Sequence, residues 1–186
     1  MTDKNTTDNL TLMPHLPVDD LPREKLLELL KLYGRLYLAM DGFWFLSVRQ
    51  HLGNQAALDC DIATWARMSA YEMSRITRLM DIKGQGLSAL LQALRLAPWF
   101  LNLGHQVHID GDNRAVLSVN SCPTLIALEK EGEGREKEIC RVIEPIILKS
   151  YASFFDPGIV INCLKCPPRS DREDGTCCQW EFIKGR

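Results

Sequence analysis

The chain has no apolar run approaching the ~18 residues that a membrane-spanning helix requires, so no spanning segment is expected. Its first twenty residues, MTDKNTTDNLTLMPHLPVDD, lack the basic start, apolar middle and small-residue cleavage site of a secretory signal, and the expected location is the cytoplasm. Charge of either sign is not in excess: 22 Lys and Arg stand against 24 Asp and Glu, a net charge of -2. That balance gives no electrostatic reason for a nucleic acid or an anionic membrane surface as partner. Also missing are the H-E-x-x-H, G-x-S-x-G and P-loop patterns, which removes three enzyme classes with strong signatures. No internal repeat is present, and Gly84-Gln85-Gly86 reads as a loop between helices.

What the chain has is enough apolar material, 46% of 186 residues, to bury one substantial core. Residues 1–18 are polar and proline-punctuated and read as a frayed leader; 19–186 read as a single domain. Asp20 can cap a helix entered through Pro22. Its apolar positions Leu26, Leu29, Leu30, Tyr33, Tyr37 and Met40 recur at helical spacing. Asp41-Gly42 is expected to break it, with a short apolar helix from Phe43 to Leu52 closed by Gly53. A third helix is expected from Asn54 or Asp61 to Asp81, and a fourth from Leu87 to Leu96 before Pro98.

The pattern changes after Pro98. Trp99 to Ile109 reads as a strand, Gly111-Asp112-Asn113 as a turn, and Arg114 to Ser121 as a second strand with Ala115, Leu117 and Val119 on one face. A short helix over Pro123 to Glu131 follows, then one from about Lys137 to Phe155 kinked at Pro145. GIVINCL from Gly158 and CCQWEFI from Cys177 read as two further strands. The expected class is α+β, a helical N-terminal half packed on an antiparallel sheet of about four strands.

Six of the seven cysteines lie after residue 121. In a reducing compartment an odd cysteine count argues against a disulfide framework. Cys163 and Cys166 form a C-x2-C pair, a spacing that lets two thiolates reach one ion. Pairing of the last two strands would bring Cys177 or Cys178 towards them, and Cys122 ends the other hairpin. Side chains alternate along a strand, so only one of Cys177 and Cys178 can face such a site, and Cys178 is favoured. Cys122, Cys163, Cys166 and Cys178, with Cys140 as a fifth candidate, are the expected ligands of zinc or an iron–sulfur cluster, in a structural or redox role. The competing reading is that individual thiols are inert core, the ordinary fate of cysteine; a second C-x2-C pair at zinc-finger spacing is absent. Cys60 reads as a packing residue or an exposed thiol.

Two other functions are open. A cysteine-dependent hydrolase of a small C–N or C–S substrate would need a thiolate activated by a nearby cation or base, and no paired histidine stands at a recognisable position. His105 and His108 fall on opposite faces of a strand. A small-molecule-binding domain would place a pocket between the helices and the sheet, lined by Trp44 and Trp65 with Asp41 as polar contact. The reading the sequence favours for that stretch is a core helix with Asp41 as its N-cap. Glu72 and Glu144 are possible inward-facing acids.

The blocks DGFWF, Gly53, Ala56-Ala57, Trp65, CRVIE, DPGIVINCLKCPP and CCQWEF occur in an order that resembles a family of small cytosolic proteins of unknown function from bacteria and archaea, many of them anaerobes. The resemblance spans about residues 20 to 183. The family is distantly similar to the L-2-amino-thiazoline-4-carboxylic acid hydrolase-like proteins, and its C-terminal sheet resembles the vinyl-reductase-like ligand-binding fold. The resemblance carries Cys122, Cys140, Cys163, Cys166 and Cys178 and implies a shared site without an established reaction. Cys177 departs from the pattern.

Overall fold

The computed structural model describes residues 17–169 and 175–185, so most of the expected leader lies outside the described residues. A single 3-10 turn, Val18–Asp20, leads into α1 (Arg23–Leu52). Asp20 is therefore in that turn and does not cap α1, which begins after Pro22 without a side-chain cap. The helix does not break at Asp41-Gly42. It runs on for 30 residues because one glycine costs a helix only about 1 kcal/mol, and the packing on either side of Gly42 outweighs that. Gly53, with φ of 90°, ends α1 and starts α2 (Asn54–Leu79).

The expected burial of α1 needs a second correction. Gly34 and Phe45 are its buried residues, whereas Leu30, Tyr33 and Met40 are exposed. Gly34 is where α1 meets the turn after Pro98: a Cβ there would stand 2.5 Å from Pro98 O. Only glycine permits that approach. Asn102 Nδ2 ties the same turn down by donating to Lys31 O at 3.2 Å.

After α3 (Leu87–Leu94), Trp99 to Leu103 was expected as strand but forms a turn with a 3-10 segment at Phe100–Asn102. Trp99 and Phe100 are both buried there, which strict strand alternation would forbid. Strand β1 (Gly104–Asp110) then pairs with β2 (Arg114–Ser121). Helix α4 (Pro123–Glu131) ends at Gly132 in the left-handed conformation. The next helical stretch is α5 (Glu136–Glu138), a π-helical turn over Ile139–Ile143, and α6 (Glu144–Phe155). Pro145 has no N–H to donate one turn back, so the α-helical register cannot pass through it unbroken. Strands β3 (Ile159–Lys165) and β4 (Cys178–Lys184) complete an antiparallel sheet in the order β1-β2-β4-β3.

The α+β class and the four strands agree with the sequence pattern. Ala115, Leu117 and Val119 of β2 and Trp180 and Phe182 of β4 turn inward, joined by Ile159 of β3. They pack on α6 and α2 through Tyr151, Leu148, Met73 and Trp65 in one core cluster. Each large side chain buried in this way contributes about 2–3 kcal/mol. On the outer face Glu181 accepts from Arg114 Nε at 2.8 Å and Asn162 Nδ2 at 2.9 Å, tying β2, β4 and β3 together. Among the described residues no helix is long and apolar enough to cross a membrane.

Candidate functional site

Between the helices and the inner face of the sheet is a cavity of about 120 Å³. Leu117, Val119, Cys178 and Trp180 form its sheet side; Leu38 and Asp41 of α1, Asp61 and Trp65 of α2, and Glu144 and Ile147 of α6 form its helical side. Trp99, Cys122 and Cys140 also line it. A wider, open vestibule of about 300 Å³ lies outside, and the two spaces share Leu38, Asp41, Asp61, Thr124 and Ile139 as their common wall.

Three acids therefore meet in one largely apolar space. Asp41 Oδ1 accepts from Trp65 Nε1 at 3.1 Å. Burial pushes the Asp41 carboxyl up to about 6, against that hydrogen bond. Asp61 is only 5% exposed. Burial, then the repulsion of Asp41 and Glu144, lifts it to about 7, while Trp65 and Arg135 oppose the shift. Glu144 is raised to about 7 by burial and by Asp41. Asp61 Oδ1 is buried and has no hydrogen-bond partner, a state that costs about 1–3 kcal/mol.

The thiols occupy two neighbouring places. Cys122, Cys140 and Cys178 line the cavity. Cys122 caps α4, its Sγ accepting from Leu125 N at 3.4 Å, yet burial still pushes its thiol up to about 11. Cys140 rides on the π-helical turn; burial and then Glu144 raise both it and Cys178 far above an ordinary thiol. Cys163 and Cys166 sit instead at the end of β3, with their sulfurs 2.9 Å apart and Cys163 exposed. Cys166 connects the two places by donating to Cys140 O at 3.2 Å, and burial, with Cys163 next, raises it to about 12. Among the described residues no three His, Cys, Asp or Glu side chains form a group that could hold a metal ion.

The sequence-predicted positions fare unevenly. Asp41 and Trp65 line the cavity, and Asp41 is there as a wall residue in mid-helix, not as a helix cap. Trp44 is not in the cavity: it lines a surface groove with Cys60 and Tyr71, and the residue of that stretch that turns inward is Phe45. Cys178 lines the cavity, and Cys177, just before β4, is also buried in the core cluster. Glu144 is inward, as considered. Asp61 was missed as a site residue, although its spacing of four from Trp65 on a helix already placed both on one face.

The family whose model matches this chain, over residues 19–184, is described as a Family of unknown function (DUF6125). The chain belongs to that family. No curated protein and no solved structure matches it. For this DUF6125 member, functional argument therefore rests on the cavity and the thiols themselves.

Proposed function

We propose that this domain binds a small molecule in the cavity between its helices and its sheet, with Asp41, Asp61 and Glu144 as the polar contacts and Trp65, Trp99 and Trp180 as the aromatic walls. The observation that carries the reading is Asp61, which lines both the cavity and the vestibule and whose Oδ1 is buried without a hydrogen-bond partner. A folded domain tolerates such an atom most readily where a ligand completes it. The test is a metabolite-library screen by thermal shift and tryptophan fluorescence on the wild type and on Val119→Phe, which fills the cavity. A compound that stabilises the wild type and not the filled variant supports the reading; a library with no such compound removes it.

A second reading keeps the thiols as ligands of zinc or an iron–sulfur cluster. It is favoured by the convergence of Cys166 on Cys140, with Cys122 and Cys178 close enough to raise Cys140 further. The residue types fit a soft metal. The spacing does not yet fit: two thiolates on one tetrahedral zinc stand about 3.8 Å apart, from Zn–S bonds of ~2.3 Å, against 2.9 Å between Cys163 and Cys166. Elemental analysis and an absorption spectrum of protein purified without oxygen decide this. Stoichiometric zinc, or iron with sulfide, lost in Cys166→Ser supports the metal; metal-free protein with an unchanged melting temperature discards it.

A hydrolase, including one like the thiazoline-carboxylate hydrolases, has the least support. Among the described residues no Lys, Arg or His lines the cavity, and its thiols are held above their ordinary pKa, the reverse of an activated nucleophile.

A further inference from the structure

We infer that the ligand of this cavity is a small organic cation, an ammonium or guanidinium compound held by Asp41, Asp61 and Glu144 against the tryptophan walls. The inference rests on the small-molecule reading above and goes beyond it in naming the class.

Among the described residues three carboxyl groups line the cavity, and no basic side chain does. The nearest candidate, Arg135, lines the vestibule with Asp41 and Asp61, and its charge partly offsets the rise of the Asp61 carboxyl. It is engaged in part: its Nη1 donates to Glu131 Oε2 at 2.6 Å and its guanidinium lies 4.6 Å from the centre of the Phe45 ring, while its Nε is buried without a partner. Asp61 is thus an acid that is 95% buried, with a free oxygen and two further acids facing it from α1 and α6. The other titratable groups around it, Cys122, Cys140 and Cys178, carry no positive charge in either state.

An anionic ligand would bring further negative charge beside carboxyls whose burial and mutual repulsion already hold Asp61 and Glu144 up to about 7. A neutral one could donate a hydrogen bond to Asp61 but would leave the mutual repulsion of the acids in place. A cation answers both, since it donates to the free oxygen and offsets the charge. The aromatic walls fit the same ligand, because a tryptophan face attracts a positive charge. The space, on the order of four waters at ~30 Å³ each, restricts the compound to a few heavy atoms.

Acids held near neutrality give the inference a second signature. When the cation binds near pH 6, a protonated carboxyl becomes a carboxylate paired with the ligand, and its proton is released to buffer.

The experiment uses the full chain and three probes of one size and shape class: guanidinium, urea and acetate, with ethylammonium as a second cation. Binding is read by tryptophan fluorescence, and protons are counted by calorimetry at pH 6 in two buffers of different ionisation enthalpy. A compound of a few atoms is expected to bind with a dissociation constant of about 1 mM. The expected result is saturable binding of one or both cations with proton release, weakened about tenfold in Asp61→Asn and unchanged in Trp44→Ala. Urea or acetate binding as well as the cations would overturn the charge assignment and leave the small-molecule reading standing. No saturation by either cation also overturns it, and the library screen then judges the small-molecule reading by itself. Cation binding without proton release, and equal in Asp61→Asn, would mean surface binding and overturn the inference too.

Discussion

Asp61 and Glu72 lie about three turns apart on one helix, each 5% exposed, yet they keep different company. Glu72 faces phenols. Tyr151 donates its hydroxyl to Glu72 Oε2 and accepts from Trp99 Nε1 at 3.0 Å, and Tyr37 leans on the same carboxyl. Burial raises Glu72, and both phenols pull it back. One oxygen, Oε1, is still without a partner, but no second acid acts on the group. Asp61 faces Asp41 and Glu144 across an open space. Equal burial on one helix thus yields a structural strut in one case and an incomplete contact in the other. The neighbours contributed by α1, α6 and the Trp99 turn make the difference.

The comparison can be broken at its strong end first. Tyr151→Phe leaves both the Glu72 carboxyl and the Trp99 N–H buried without their shared partner. At about 1–3 kcal/mol for each orphaned group, it should lower stability by about 3 kcal/mol. Urea denaturation would measure this, and a loss below that of an ordinary surface change would show that the network is not a strut.

Asp61→Asn should behave oppositely. The folded-state pKa of Asp61, about 7, is above its ordinary value of 3.8. The folded protein therefore binds the proton more tightly, and the associated stability is full below the ordinary value and lost as pH rises through about 7. The Asn variant keeps a neutral side chain at every pH. It should match the wild type near pH 3 and exceed it increasingly as pH rises, by about 4 kcal/mol at pH 8, read from paired melting curves. A variant less stable than wild type at both pH values would place Asp61 with Glu72 as a strut.

Trp65→Phe sharpens the same contrast on a smaller scale. It removes the N–H that Asp41 accepts while keeping most of the ring, and should cost about 1 kcal/mol. It should also raise the Asp41 pKa further, visible by NMR titration of its carboxyl carbon. The smallest effect on stability separates the two thiol places. In native metal-free protein, alkylation should modify the exposed Cys163 first and leave Cys122, Cys140 and Cys178 unreacted until the chain unfolds. Mass spectrometry of the labelled peptides checks it, and early labelling of Cys178 would mean that the cavity opens readily.

Some of this was legible without coordinates. The alternation of Ala115, Leu117 and Val119 set β2, and Pro123 with Gly132 bounded α4, because a period of two and end-cap chemistry are local properties. The same period put Cys178 on the face of Trp180 and Phe182, but it did not reach Cys177, which precedes β4 and is buried in the core as well. Trp44 was misplaced because Phe43, Trp44 and Phe45 are all apolar. Their relative burial, 71%, 37% and 4% exposed, depends on the rotation of α1 against its neighbours and on no composition within the stretch. Asp41-Gly42 looked like a break because turn residues also occur in helices whose neighbours hold them straight.

What the sequence determined by itself was the class, the strand faces and the gathering of cysteines in the C-terminal half, each carried by spacing along the chain. Only the tertiary structure decided that three acids from α1, α2 and α6 share one cavity and that Asp61 has an oxygen with nothing to accept from. Those residues are up to 103 positions apart, Asp41 to Glu144. Their effect on one another is through-space repulsion among buried groups, which no local pattern encodes.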